Sequence, residues 1–243
     1  MNGQTRTTLI TGASRGIGRR CAEHLAAAGH LIVNLDLNAQ EGDFPGDSYA
    51  VDLANRSAVR EMLAEVAGRY AFNGLLNNAG AVGQQSLEDI DLEVFDGVVE
   101  VNLVTAIQCA QACLPSMKKQ GFGRIVSISS ELVLGIGLRT AYSGTKAALI
   151  SFTRTWALEL AQHGVTVNAV APGPVDTEFF MGNNPIGSQQ RESKLRRIAV
   201  GRLGDPSDVA NAVGFLMQEA SEFVTGQTMF VDGGSSLCNA LLP

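Results

Sequence analysis

Short apolar, β-branched runs alternate with longer helical patterns along almost the whole of this sequence. Candidate strands fall at 7–11, 30–35, 48–51, 74–77, 124–129, 166–170 and 228–231. Helical periodicity fills the gaps at about 17–28, 56–69, 92–119, 142–162 and 206–219. Strands separated by helix-length connections run parallel, because each connection crosses back over the sheet. The strands read as continuous apolar runs (LIVNL, GRIVSI, VTVNAV), the pattern of a sheet covered on both faces. The expectation is an α/β fold: a doubly wound parallel sheet of about seven strands with helices on both sides.

The 243 residues, 45% of them apolar, suit a single domain over 1–243 with a sizeable core. One segment breaks the rhythm. Residues 174–200 carry two prolines, an Asn pair and a mixed charge cluster just after the sixth candidate strand. Ligands of open α/β sheets bind beyond the carboxyl ends of strands, so this insertion is expected to be a lid over a site. Net charge is −6, from 18 basic and 24 acidic side chains, with no basic tail or stripe. That excludes the electrostatic footprint of a nucleic-acid binder. The opening MNGQTRTTLITG has no apolar stretch of signal-peptide length, and no run of ~18 apolar residues suggests a membrane span. Four cysteines (Cys21, Cys109, Cys113, Cys238) and three histidines (His24, His30, His163) lack metal-ligand spacing. Reduced, buried thiols in a cytoplasmic protein are expected, with no metal and no disulfide framework.

The first strand runs into TGASRGIG, residues 11–18, where Gly12, Gly16 and Gly18 open the first helix. A strand, a glycine loop and a helix N-terminus together hold phosphates, because outward N–H groups and the helix dipole favour an anion. The Gly12-x3-Gly16-x-Gly18 spacing is not the commonest dinucleotide fingerprint, and a tight turn without ligand reads the same. Asp36 ends the second strand, 18 residues after Gly18. A carboxylate there accepts hydrogen bonds from an adenosine ribose and repels a 2′-phosphate; it also suits a plain turn. Arg15 pulls the other way, as a cation able to pair with a 2′-phosphate or to neutralise Asp36. Asp36 favours NAD over NADP.

Tyr142 and Lys146 stand at i and i+4 where the fifth helical pattern opens, on one face a turn apart. A free tyrosine ionises near pH 10. A neighbouring ammonium favours the phenolate and makes the hydroxyl a usable proton donor and acceptor. Ser129 and Ser130 end the fifth candidate strand, where a hydroxyl can hold a substrate oxygen.

In this order TGASRGIG, Asn77-Asn78-Ala79-Gly80, Ser130 and Tyr142-x3-Lys146 resemble the short-chain dehydrogenase/reductase family. The resemblance extends to Asn102 in EVNL, to Pro172-Gly173-Pro174-Val175-Asp176-Thr177, and to the C-terminal Thr225-Gly226-Gln227 and Val231-Asp232-Gly233-Gly234, so it covers essentially the whole chain. It implies a Rossmann-type sheet and the family's shorter, single-domain form. By position, Tyr142 matches the family's acid/base and Lys146 the residue that lowers its pKa and binds the nicotinamide ribose. Ser130 matches the substrate-oxygen holder, and Asn102 the residue that keeps a water relay open to Lys146. The loop residues Gly12, Ser14, Arg15, Gly16, Ile17 and Gly18 match cofactor contacts. So do Asp36, Asp52, Leu53, Asn78, Ala79, Gly80, Pro172, Gly173, Val175 and Thr177. The gap from Ser130 to Tyr142 is 12, where many relatives have 13, which leaves Ser129 as the alternative. Glu131 stands where relatives often carry a small or apolar residue.

The resemblance implies reversible hydride transfer between a nicotinamide cofactor and a secondary alcohol or ketone. Asp36 points to NAD and to a small alcohol, a sugar or a cyclic diol. The alternative is an NADPH-dependent reductase of 3-oxoacyl thioesters on acyl carrier protein. Relatives with that activity usually carry arginines where this chain reads Gln120-Gly121-Phe122 and Gln162-His163-Gly164. A non-catalytic dinucleotide-binding sensor is a remote third reading, since it has no need of Lys146 a turn from Tyr142. The helices at 92–119 and 142–162 are apolar around much of their circumference, so a homotetramer or dimer built on them is expected. The apolar C-terminus SSLCNALLP is expected to tuck against a neighbour.

Overall fold

The computed structural model describes residues 6–39 and 42–237. Its strands are β1 (Arg6–Thr11), β2 (His30–Asp36), β3 (Gly46–Ala50), β4 (Gly74–Asn77), β5 (Gly123–Ile128), β6 (Val165–Pro172) and β7 (Thr228–Val231). They form one all-parallel sheet in the order β3-β2-β1-β4-β5-β6-β7. The winding reverses between β1 and β4, and that switch point opens a crevice at the carboxyl ends of both strands.

The unbroken apolar runs hide a strict alternation. Leu9 of β1 enters one core layer and Ile10 the other; Leu75 and Leu76 of β4 do the same. The first layer is closed by α2 (Arg56–Arg69), α4 (Thr105–Gln120) and α5 (Thr140–Leu160), through Val59, Leu63, Cys113, Met117, Ala157 and Leu160. The second is closed by α1 (Gly16–Ala27) and α8 (Pro206–Met217), through Cys21, Leu25, Val209, Val213 and Leu216. Each layer stabilises the fold by apolar burial worth about 25 cal/mol per Å².

Two elements depart from the sequence reading. β3 begins at Gly46 rather than at 48. It is an edge strand with exposed and half-buried side chains, so its polar start escapes a criterion based on apolar runs. The stretch at 92–119 divides into α3 (Leu92–Val99), a π turn (Glu100–Val104) and α4. Single π turns inside helices cluster at functional sites, and this one carries Asn102. Leu92–Gln120 is also, by length and composition, long and apolar enough to cross a membrane, with a mean hydropathy of 1.3 over 18 residues. Glu100, Asn102, Thr105 and Gln108 interrupt it, so it is not an unbroken apolar run. Here the helix covers the sheet, with Ala106, Cys109, Cys113 and Met117 buried.

Residues 174–200 hold α6 (Glu178–Asn183) and α7 (Gln189–Arg196), capped by the Thr177 and Ser188 hydroxyls. Cys21, Cys109 and Cys113 are buried free thiols, and burial pushes Cys21 and Cys109 up to about 12. No group of three metal-ligating side chains occurs among the described residues. Cys238 and the rest of the apolar C-terminus lie outside them.

Candidate active site

The glycine loop is built from backbone. Gly12 and Gly16 adopt φ of +72° and +57°, where a side chain would be strained. A Cβ on Gly18 would lie 2.2 Å from the Gly12 carbonyl oxygen and 2.5 Å from Asn78 Nδ2, so only glycine fits. Asn78 Nδ2 donates to the Thr11 and Gly12 carbonyls at 3.0 and 2.8 Å, and the Asn34 amide oxygen accepts Ala13 N–H at 2.9 Å. These bonds tie the loop to the ends of β2 and β4. No side chain caps α1, and its first turn has no acidic residue. Its first N–H groups and its dipole are therefore open to an anion.

Along this cleft of about 410 Å³ lie Gly12, Arg15, Gly16, Ile17, Gly18, Asp36, Asp52, Leu53, Asn78, Ala79, Gly80, Tyr142, Lys146 and Thr177. The Asp36 carboxylate sits at its far end and accepts Ser14 N–H at 3.1 Å. Arg15 does not neutralise it; its guanidinium lies 3.8 Å from Glu178 on α6. Ser14 does not line the cleft: its hydroxyl donates to the Asn38 carbonyl at 2.9 Å and braces the loop. The glycine cradle, the uncapped helix and the carboxylate suit the pyrophosphate and adenosine ribose of a nicotinamide dinucleotide.

At the other end of the cleft the side chains converge. Lys146 is 2% exposed. Its ammonium donates to the Ile128 carbonyl at 2.7 Å and stands 5.8 Å from the centre of the Tyr142 ring. Burial pulls its pKa down to about 8. Asn102 is fixed from both ends of its amide: Oδ1 accepts Ala81 N–H at 2.8 Å, and Nδ2 donates to Thr145 Oγ1 at 2.9 Å. Gly80 lies between these two residues, where a Cβ would stand 3.2 Å from Lys146 Nζ and 3.6 Å from Asn102 Oδ1.

Ser129 and Ser130 separate cleanly. Ser129 Oγ donates to the Lys146 carbonyl at 2.8 Å and serves the helix backbone. Ser130 borders the same cavity as the Tyr142 hydroxyl and pulls the pKa of that phenol down. Burial dominates and raises it, while the nearby Arg139 charge pulls the other way.

Tyr142 also lines a second, smaller cavity of about 200 Å³ together with Ser130, Glu131, Arg139, Pro172, Gly173, Val175, Thr177, Phe180, Asn184 and Lys194. Pro172, Gly173 and Val175 therefore border this cavity and not the dinucleotide cleft. Glu131 faces it too. The Ser235 hydroxyl donates to Glu131, and burial pushes that carboxyl up. Arg139 and Lys194 carry no motif that a sequence reading can catch. They reach the cavity from the end of a loop and from α7.

A family model described as enoyl-(acyl carrier protein) reductase matches residues 12–236. The chain is 34% identical to the 3-oxoacyl-[acyl-carrier-protein] reductase of Vibrio cholerae, over 96% of this chain and 98% of that protein. The chain belongs to the short-chain dehydrogenase/reductase family. Among solved structures it resembles a candidate NAD(P)-dependent gluconate 5-dehydrogenase from Beutenbergia cavernae with NADP bound at low occupancy. That match has a TM-score of 0.88 at 33% identity, over 95% of this chain and 96% of that one. It also resembles a candidate 2-deoxy-D-gluconate 3-dehydrogenase from Agrobacterium tumefaciens with bound NADP, at a TM-score of 0.85 and 29% identity over 96% and 97% of the two chains. Membership makes this chain an oxidoreductase that works with a nicotinamide dinucleotide, NAD or NADP.

Proposed function

We propose that this enzyme is an NAD-dependent dehydrogenase of a small secondary alcohol, sugar or cyclic diol. The observation that carries the reading is the position of Tyr142. It is one of the few side chains shared by the dinucleotide cleft and the smaller cavity beside it, which Ser130 also lines. A hydroxyl placed there can pass a proton to or from a substrate oxygen next to the nicotinamide.

When bound, the nicotinamide ring supplies the hydride acceptor or donor. The chain does the rest. In oxidation, ionised Tyr142 takes the proton of the substrate hydroxyl, and in reduction the phenol returns it. Ser130 holds the substrate oxygen and offsets charge that develops on it. Lys146, whose ammonium also borders the cleft, would hold the cofactor ribose and favours the Tyr142 phenolate. Asn102, locked by Ala81 and Thr145, keeps the path from Lys146 to solvent open.

Asp36 supports NAD, since its carboxylate stands where a 2′-phosphate would be repelled. The segment at 174–200 acts as the substrate lid of a single domain, with Thr177 and Phe180 facing the smaller cavity. The enzyme assembles as a homotetramer or dimer through the helices at 92–119 and 142–162; Leu158 on α5 is 85% exposed, as an interface position is in an isolated chain. It works in the cytoplasm, where its thiols stay reduced.

The second reading, an NADPH-dependent 3-oxoacyl-thioester reductase, is favoured by the identity with the Vibrio enzyme. A turnover screen decides between them. Nicotinamide reduction is followed with NAD and NADP against secondary alcohols, sugars and cyclic diols, and NADPH oxidation against a 3-oxoacyl thioester. Turnover of alcohols with NAD supports the first reading. Efficient thioester reduction with NADPH alone overturns it.

A further inference from the structure

The smaller cavity holds more cationic charge than the transfer of a hydride to or from a neutral alcohol requires. Arg139 and Lys194 both border it beside Tyr142. Arg139 is the N-cap of α5, so it and Tyr142 share one helix face at i and i+3. Its Nη1 is buried with no hydrogen-bond partner. The preceding residue, Leu138, is the one non-glycine with positive φ among the described residues, at +65°. Backbone held in that region is strained, and such strain persists where the surroundings fix it and clusters at functional sites. The Leu138 carbonyl accepts Gln85 N–H at 3.1 Å, which pins the turn that delivers Arg139.

Lys194 comes from α7 and holds its ammonium 5.1 Å from the centre of the Phe180 ring. Among the described residues neither cation makes an ion pair within hydrogen-bonding range. Glu131 faces the same space, but its carboxyl is held by Ser235. Two cations against one carboxyl leave the lining with an excess of positive groups, which suits an anion such as a carboxylate. A cavity of about 200 Å³ admits only a small molecule.

We infer that the substrate is a short hydroxy acid, or the matching oxo acid, whose carboxylate is bound by Arg139 and Lys194 while its hydroxyl or carbonyl meets Tyr142 and Ser130. This rests on the oxidoreductase reading above and narrows it. A thioester carries no charge at the corresponding place, so the carboxylate also separates this substrate class from 3-oxoacyl thioesters. The carboxylate itself does not react; it positions the neighbouring carbon and discriminates against neutral analogues.

Matched acid and amide pairs test the inference in steady state with NAD and with NADP: lactate and lactamide, 3-hydroxybutyrate and its amide, gluconate and gluconamide. The expected result is at least tenfold higher kcat/KM for the acid in the pair that is turned over. Lys194→Gln, on a surface helix outside the sheet core, reduces that ratio at least fivefold through KM rather than kcat, and Lys194→Arg restores it. Equal rates for acid and amide, or a ratio unmoved by Lys194→Gln, overturn the inference. Cyclohexane-1,2-diol and a 3-hydroxybutyryl thioester are run alongside. Turnover of these without any acid overturns the carboxylate and leaves the oxidoreductase intact. No turnover at all, with no binding of NADH or NADPH, defeats the underlying reading.

Discussion

The cleft beside β1 and β2 and the cavity beside β5 and β6 meet at one phenol and are made of different material. The cleft is made of main chain. Gly18 leaves no room for a Cβ beside the Gly12 carbonyl, Asn78 and Asn34 hold loop carbonyls and amides, and α1 presents an uncapped end. Its ligand is recognised by N–H groups that any sequence with the right glycines supplies. The cavity is made of side chains from separate segments: Ser130 and Glu131 after β5, Arg139 before α5, Phe180 and Lys194 in the insertion. Its lining offers charges and surfaces that can change without disturbing the sheet.

The largest expected effect is at the junction. Tyr142→Phe removes the proton carrier and lowers kcat/KM by about 10² to 10⁴, while the NADH dissociation constant, read by fluorescence, changes less than about threefold. An active Phe variant breaks the link between the two halves. Next is the cleft. Gly18→Ala forces a Cβ against backbone, and such overpacking costs about 1–3 kcal/mol. Cofactor affinity measured by calorimetry is expected to fall ~10- to 100-fold. Unchanged affinity would show that the cleft is less rigid than its contacts require.

Lys146→Met separates function from stability. A buried lysine with its pKa lowered to about 8 binds its proton less readily in the folded state than in the unfolded one. Its stabilising contribution is fully present only above its ordinary 10.5 and is lost as pH falls to about 8. At pH 7 the ammonium is thus a standing cost. Lys146→Met loses most turnover, and in urea titrations its stability relative to the parent is expected to be greatest near pH 7 and to shrink toward pH 10.5. A difference that does not vary with pH contradicts this.

The smallest effect lies away from the site. His30 hydrogen-bonds Thr8 Oγ1 at 2.8 Å, and burial, aided by Arg6, pulls it from 6.5 to about 4. The folded state therefore resists protonation. The contribution of His30 is complete above pH 6.5 and is lost as pH falls toward 4, up to roughly 3 kcal/mol. His30→Gln should flatten the melting-temperature profile across that window, and an unchanged profile rules His30 out as its source.

The contrast also explains what the sequence reveals. The sheet is legible because each buried strand is an unbroken apolar run and each crossover is helix-length; only β3, polar and at an edge, shifts its start by more than one residue. The cleft is legible because glycine spacing and a terminal Asp36 lie within one β-α-β unit. Tyr142 and Lys146 are legible because one helix places them a turn apart. Arg139 is not, since a left-handed Leu138 that no local rule marks delivers it. Lys194 is not, since its place depends on how the insertion folds back onto Phe180. Ser129 and Ser130 read alike in the sequence, and only the packed helix supplies the bond from Ser129 to the Lys146 carbonyl that distinguishes them.

The most direct test of the account is a calorimetric titration of the enzyme, and of Asp36→Ala, with NADH and with NADPH. The account predicts that the parent binds NADH at least tenfold more tightly than NADPH. Asp36→Ala should lose about 1.5–3 kcal/mol of that preference, as expected for a hydrogen bond to a charged group. Tighter binding of NADPH by the parent would contradict it: Arg15 would then govern the adenosine end, and the thioester reductase would become the better reading.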